Sequence, residues 1–311
     1  MSTLFLTSAD TKYEIFVPLY IFFALTHNED ALVEIFLCDV DAFKKKNLES
    51  LRVLNDLFPN KFLFTEVNFL NYSPNVVRFI HEPDLKDECD YVYIGDIDIL
   101  IMDSDIEKQH KKNMLEHKIP FSNIIRPPEV TERDKFRLSG LHFAPMSSQY
   151  PLPDISDLDL SSENTTRGSD ENILYEIMKR KKYEIPSEIS FRPEHGFHIS
   201  LNRHPTGSFS NGSKKGVLVA KKKVIYEWSG VHDRLFKEKF LVLISKDEYQ
   251  KLFFTLDIRA QNILFILNNI CLDRFDEYKN EMKKYVVGES ILAPKIRYLL
   301  SLTGLSRFIS F

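Results

Sequence analysis

Apolar and polar positions along the first hundred residues predict strands and helices in turn. Residues 3–7 form a short apolar run ending in Ser8-Ala9-Asp10, which reads as a buried strand and its loop. Residues 14–26 read as a helix, and 32–37, stopping at Cys38-Asp39, as a second strand. Residues 44–58 carry Leu48, Leu51, Leu54, Leu57 and Phe58 at helical spacing, and the pattern stops before Pro59. Residues 61–67 read as a third strand; 91–102 read as a fourth, almost wholly apolar apart from two carboxylates. Strands alternating with helices predict an α/β fold whose mostly parallel central sheet is covered on both faces.

The pattern changes after residue 150. Residues 151–170 hold Pro, Ser and acidic side chains without periodicity, a long loop. Residues 172–181 read as a short helix and 216–228 as a hairpin turning at Lys221-Lys222-Lys223. Beyond Asp233 three helical runs follow, at 240–252, 260–270 and 275–285. The expected division is an α/β domain over 1–232 and a C-terminal helical appendage over 233–311.

Composition narrows the classes. The chain has 311 residues, 43% hydrophobic and 28% charged, enough apolar material for a sizeable core. Lys+Arg 41 against Asp+Glu 45 leaves a net charge of -4, which excludes a generally basic nucleic-acid binder. Cys38, Cys89 and Cys271 are far apart and make no CxxC pair, so a reducing compartment is expected. No signal peptide is visible at the first residues, and the apolar run 15–25 contains Pro18 and is far shorter than the ~20 residues a membrane span needs. A cytoplasmic location is the expectation.

The chemistry gathers at Tyr91-Val92-Tyr93-Ile94-Gly95-Asp96-Ile97-Asp98. On a strand, i and i+2 point to one side, so both carboxylates converge on one cation. Hard ions such as Mg²⁺ or Mn²⁺ take carboxylate oxygen, and open α/β sheets collect ligands at the carboxyl ends of their strands. The alternative is a solvated strand end.

With these residues the sequence resembles a GT-A fold glycosyltransferase, and most of all glycosyltransferase family 8, retaining enzymes that use UDP-hexoses. The likeness spans about residues 3–205. Leu4 to Asp10 followed by Tyr13 is similar to the family's first strand and its Ala-Asp-x-x-Tyr loop, which holds uracil and ribose. Arg78 precedes Asp96 at about the family's spacing for a donor-binding arginine. Arg137-Leu138-Ser139-Gly140 falls where the family has an Asn-Ala-Gly segment at the sugar, and Gly168-Ser169-Asp170-Glu171 where it has Asp-Gln and a helix. Leu138 replaces the Asn and Glu171 the Gln. The resemblance implies Asp96 and Asp98 as metal ligands with His198 as the third and His195 as its rival. It implies Asp10, Tyr13, Arg78, Asp96, Ser139, Gly140 and Arg203 as donor contacts, and Asp170 and Glu171 as catalytic carboxylates. Asp10 with Thr11 also suits a helix cap, as does Asp170.

The implied activity moves galactose or glucose from a UDP-sugar to a bacterial surface glycan such as lipopolysaccharide or capsule, with Mn²⁺ or Mg²⁺. The alternatives are a sugar-phosphate nucleotidyltransferase, whose Gly-rich phosphate loop is missing after the first strand, and a non-catalytic glycan-binding protein. Lys214, Lys215, Lys221, Lys222 and Lys223 make either a solvated hairpin or an anion-facing surface. The basic, Leu- and Phe-rich segment 290–311 suits the inner membrane interface, the core or a second copy of the chain.

Overall fold

In the computed structural model the described residues are 2–69, 72, 74–128, 135–158, 160, 169–191, 193–201, 217–220, 223–226 and 228–274. The chain divides into two compact units, Met1–His195 and Gly196–Phe311; the expected boundary at 232/233 falls inside the second.

The first unit is built on a five-stranded sheet. Strands β1 (Thr3–Ala9), β2 (Leu32–Leu37), β3 (Phe62–Glu66) and β4 (Tyr91–Ile94) are parallel in the order β3-β2-β1-β4. A later strand, β8 (His142–Pro145), closes the edge antiparallel to β4, with Ile94 opposite His142. Every residue of β1 is buried, as a central parallel strand covered on both faces requires. The expected mixed α/β architecture, with a mostly parallel sheet and flanking helices, is what the structure has.

Helix α1 (Val17–His27) buries Val17 through Leu25 without a break, the signature of a helix covered all round. The single helix expected over 44–58 is instead two, α2 (Val40–Lys46) and α3 (Leu48–Leu57). Asn47 separates them with a non-helical backbone, φ -110° and ψ 24°; its N–H and its Nδ2 both donate to the Phe43 carbonyl at 3.0 Å, a local side-chain bond of the kind that favours helix ends over helix interiors. Helices α4 (Pro74–Ile80), α5 (Ile106–His117) and α6 (Met146–Gln149) were not foreseen from the pattern.

The strand expected over 91–102 is also broken. It stops at Ile94, turns through 95–98, and resumes as β5 (Ile99–Ile101). The turn is closed by Ile99 N–H donating to the Asp96 carbonyl at 3.2 Å. The Gly95 carbonyl accepts instead from the side chains of Thr7, at 2.9 Å, and Arg78, at 3.0 Å. A Cβ on Gly95 would lie 2.7 Å from Cε1 of Tyr93, so no side chain fits there. Asp96 and Asp98 therefore sit on a turn, and the same-side argument for a strand does not apply to them.

Beyond the turn, β6 (Ile125–Arg126) and β7 (Arg137–Leu138) form a short antiparallel hairpin, and α7 (Ser169–Arg180) follows. Leu4, Leu6, Val92, Ile94, Val76, Phe79, Leu138, Leu174 and Ile177 belong to one core, which seats α4, β7 and α7 against the sheet.

The second unit contains β9 (Gly196–His198), the hairpin β10 (Val217–Ala220) and β11 (Lys223–Tyr226), and helices α8 (Arg234–Ile244), α9 (Asp247–Phe253) and α10 (Ile258–Cys271). Asp233 caps α8 by accepting from Phe236 N–H at 2.9 Å. Gly230 has φ +79°, and a Cβ there would stand 2.1 Å from the Gly196 carbonyl oxygen, so only glycine is tolerated. Phe197 packs edge-on against Phe236 and Phe240. The helical run expected over 275–285, the segment 290–311, Arg203 and Lys214, Lys215, Lys221 and Lys222 lie outside the described residues. Among the described residues no helix is long and apolar enough to cross a membrane.

Candidate active site

In the first unit the strand order reverses between β1 and β4, the place where open α/β sheets bind ligands at their carboxyl ends. Asp10 follows β1 there, and the Gly95–Asp98 turn follows β4. Both acidic residues of the turn remain close: their carboxylate oxygens approach within 4.8 Å. Asp98 is buried, whereas the Asp96 side chain is 34% exposed.

Arg78 organises the turn from α4. It is 2% exposed. Its Nη1 donates to the Gly95 carbonyl, and its Nη2 lies 2.7 Å from Asp96 Oδ1 and 3.8 Å from Asp170 Oδ2. Burial opposes the guanidinium charge, but Asp96, Asp170 and Asp98 outweigh it and hold the group protonated. Gly140 covers this ion pair. A Cβ there would lie 2.8 Å from Arg78 Nη2 and 3.5 Å from Asp96 Oδ1. Its missing side chain is what lets Arg78 and Asp96 meet.

Asp170 enters from the first turn of α7. Burial pushes its carboxyl up to about 6; Arg78 works against the shift, and Asp96 and Glu171 add to it. Asp96, Asp98 and Asp170 bring three carboxylates to the neighbourhood of the Arg78 guanidinium. Carboxylate oxygens are the hard donors that a divalent cation such as Mg²⁺ or Mn²⁺ takes.

The other predicted residues sort by their contacts. Asp10 Oδ1 accepts from Tyr13 N–H at 2.9 Å, and the Asp10 carbonyl accepts from Tyr13 and Glu14. Asp10 thus closes the loop that presents Tyr13, whose ring lies 5.8 Å from that of Phe16. Ser139 is buried; its N–H donates to Asn123 Oδ1 at 2.7 Å and its carbonyl accepts from Asn123 Nδ2. Leu138 points into the core. Glu171 accepts from Arg126 and Arg137.

His195 has both ring nitrogens engaged inside the first unit. Its Nδ1 donates to Asp103 Oδ2 at 2.9 Å, and its Nε2 lies 2.9 Å from His110 Nε2. His110 Nδ1 in turn meets Ser122 Oγ at 2.7 Å, which accepts from Asn113 Nδ2. Burial keeps His110 neutral. One consistent proton order runs Asn113 to Ser122 to His110 to His195 to Asp103, and it leaves no His195 nitrogen for a cation. His198 belongs to the second unit, where its backbone pairs with Ser229 at 3.0 and 3.3 Å. Arg126, Asn123 and His110 were not singled out from the sequence as parts of the site, and Arg137 only as the first residue of the segment expected at the sugar, because their partners lie elsewhere along the chain.

No protein-family model and no curated protein matches the chain. Among solved structures it is similar to galactosyltransferase LgtC in complex with donor and acceptor sugar analogs, at 13% identity and a TM-score of 0.40, over 57% of this chain and 70% of that one. It is similar to the glycosyltransferase GlyE of Streptococcus pneumoniae TIGR4 at 12% identity and a TM-score of 0.32, over 57% of this chain and 43% of that one. It is similar to mannosyltransferase PcManGT from Pyrobaculum calidifontis in complex with GDP-Man and Mn²⁺, at 11% identity and a TM-score of 0.37, over 98% of this chain and 80% of that one.

Proposed function

We propose that the protein is a metal-dependent glycosyltransferase moving a hexose, galactose or glucose, from a UDP-sugar to a bacterial surface-glycan acceptor such as lipopolysaccharide or capsule, with retention of configuration. The observation that carries this reading is Arg78, buried between Asp96 and Asp170 where the strand order reverses, with Gly140 lying over the pair.

Asp96 and Asp98 would hold Mn²⁺ or Mg²⁺, with His198 as third ligand. His195 is the weaker candidate, since both of its ring nitrogens are already engaged. When bound, the cation supplies charge neutralisation for the departing nucleoside diphosphate. Asp10 and Tyr13 would hold the uridine end, and Arg203 a phosphate. Arg78 fixes the orientation of Asp96 and Asp170. Asp170 is ionised above about pH 6, and its place beside Arg78 suits it to steady sugar hydroxyls or positive charge developing at the anomeric carbon. A glycolipid acceptor would bring the protein to the inner face of the cytoplasmic membrane, with segment 290–311 as the part that meets it.

The test is release of UDP from a panel of UDP-hexoses with Mn²⁺ and no acceptor. Asp96→Ala and Asp98→Ala should abolish release while circular dichroism shows an intact fold. Full activity in either variant, or in excess chelator, sinks the proposal.

A further inference from the structure

Arg126 and Arg137 face each other directly across the β6–β7 ladder. Like charges placed opposite one another repel, yet here both serve one counter-ion. Arg126 Nη1 donates to Glu171 Oε1 and Oε2 at 2.9 and 3.0 Å, and Arg137 Nη1 donates to Oε2 at 2.8 Å. All three side chains are largely shielded, at 21%, 9% and 17% exposure, so water screens them less than a surface pair.

Glu171 is the neighbour of Asp170 in the first turn of α7. Adjacent helical residues project about 100° apart, so the two carboxylates leave the helix in different directions. Asp170 goes to Arg78 and Glu171 to the hairpin. The hairpin is itself anchored, through Asn123 to both backbone groups of Ser139 and through Ile125 to Ile189.

We infer that Arg126 and Arg137 are positioning residues: acting through Glu171, they hold the first turn of α7 so that Asp170 stays against Arg78. The inference deepens the proposed sugar transfer and rests on it. It also separates two adjacent carboxylates by role. Asp170 faces the site, and Glu171 has both oxygens taken by guanidinium groups.

The experiment compares the wild type with Arg126→Gln/Arg137→Gln and Arg126→Lys/Arg137→Lys. It reads UDP affinity in Mn²⁺ by calorimetry, kcat and KM for UDP-hexose hydrolysis, and hydrogen exchange at amides 173–176, whose helical partners lie in the first turn of α7. The glutamine pair should keep UDP affinity within about threefold and lose about 10- to 100-fold in kcat, the scale of a misplacement of about 1 Å. Its amides 173–176 should exchange about tenfold faster, and the lysine pair should recover part of the kcat. A kcat near the wild-type value, or unchanged exchange at 173–176, overturns the inference. So does a loss of protection spread evenly over the first unit, with Arg126→Gln alone, the more exposed position, as the milder check on folding. Should the wild type release UDP from no UDP-hexose, the proposed function fails and the exchange measurement alone decides the clamp.

Discussion

Replacing Gly140 with alanine tests the geometry of the site by adding one methyl group. The new Cβ would stand 2.8 Å from Arg78 Nη2, whereas comfortable non-bonded contacts lie at about 3.5–4.0 Å. The guanidinium must therefore retreat by roughly 0.7 Å or more. It is buried and tied by Nη1 to the Gly95 carbonyl, so retreat stretches either that bond or the 2.7 Å pair with Asp96. A hydrogen bond to a charged group is worth about 1.5–3 kcal/mol. Because the Asp96 side chain is 34% exposed, solvent screens the pair, and about 1–2 kcal/mol is the fitting expectation. For a unit of this size that is a fall in Tm of about 2–8 °C. The displaced Asp96 should also cost about tenfold or more in Mn²⁺-dependent UDP release. Thermal unfolding and the release assay on the same preparation read both effects. If Gly140→Ala melts within about 1 °C of the wild type and turns over at its rate, the close packing of Gly140 on Arg78 is wrong.

Asp170 links stability to pH. Its carboxyl is pushed up to about 6, above the ~3.9 of an unfolded chain, so the stability it contributes is fully present below pH ~4 and lost as pH rises through about 6. Asp170→Asn should therefore be more stable than the wild type above pH ~6, by up to about 3 kcal/mol, with the difference vanishing near pH ~4; urea unfolding across that range checks it, and a pH-independent difference refutes it. His195→Ala takes one partner from Asp103, which keeps Asp105 N–H and Gln109, and one from His110, which keeps Ser122; it should lower stability by about 1–3 kcal/mol while Mn²⁺ binding persists. His198→Ala should do the reverse, and calorimetric titration with Mn²⁺ showing the opposite pattern would make His195 the ligand.

The apolar runs that became β1 and β2 were readable because parallel strands buried on both faces are apolar almost continuously, and the half-buried edge strand β3 still carries the apolar Phe62-Leu63-Phe64. The same rule misread 91–102. Periodicity cannot see that Arg78 and Thr7 take the Gly95 carbonyl, although a glycine inside an apolar run was the available signal. Asn47 was a similar signal for the break between α2 and α3. Helix α5 carries His110 and Asn113 on its buried side, so it shows no apolar stripe to find. In the site, Asp96, Asp98, Arg78, Asp170 and Gly140 were all named from the sequence. The reason Gly140 must be glycine was not legible, since it depends on contact with Arg78, a residue far along the chain. The pairing of Glu171 with Arg126 and Arg137 depends likewise on hairpin register.

The strand order has a consequence for how the chain is made. β1 lies mid-sheet, but only its partner β2 is near it in sequence; β4 begins at Tyr91. A nascent chain that has completed β3 must be extended from Glu66 to Ile94 before β4 exists, a delay of about 1–6 s at ordinary synthesis rates. Throughout it the outer edge of β1, with Leu4, Phe5 and Leu6, stands open as a template for other chains. The segment that ends this exposure is also the one that carries Gly95, Asp96 and Asp98. Substitutions that weaken the docking of β4 should therefore lower soluble yield and metal binding together, so the site's own strand protects the protein during its synthesis.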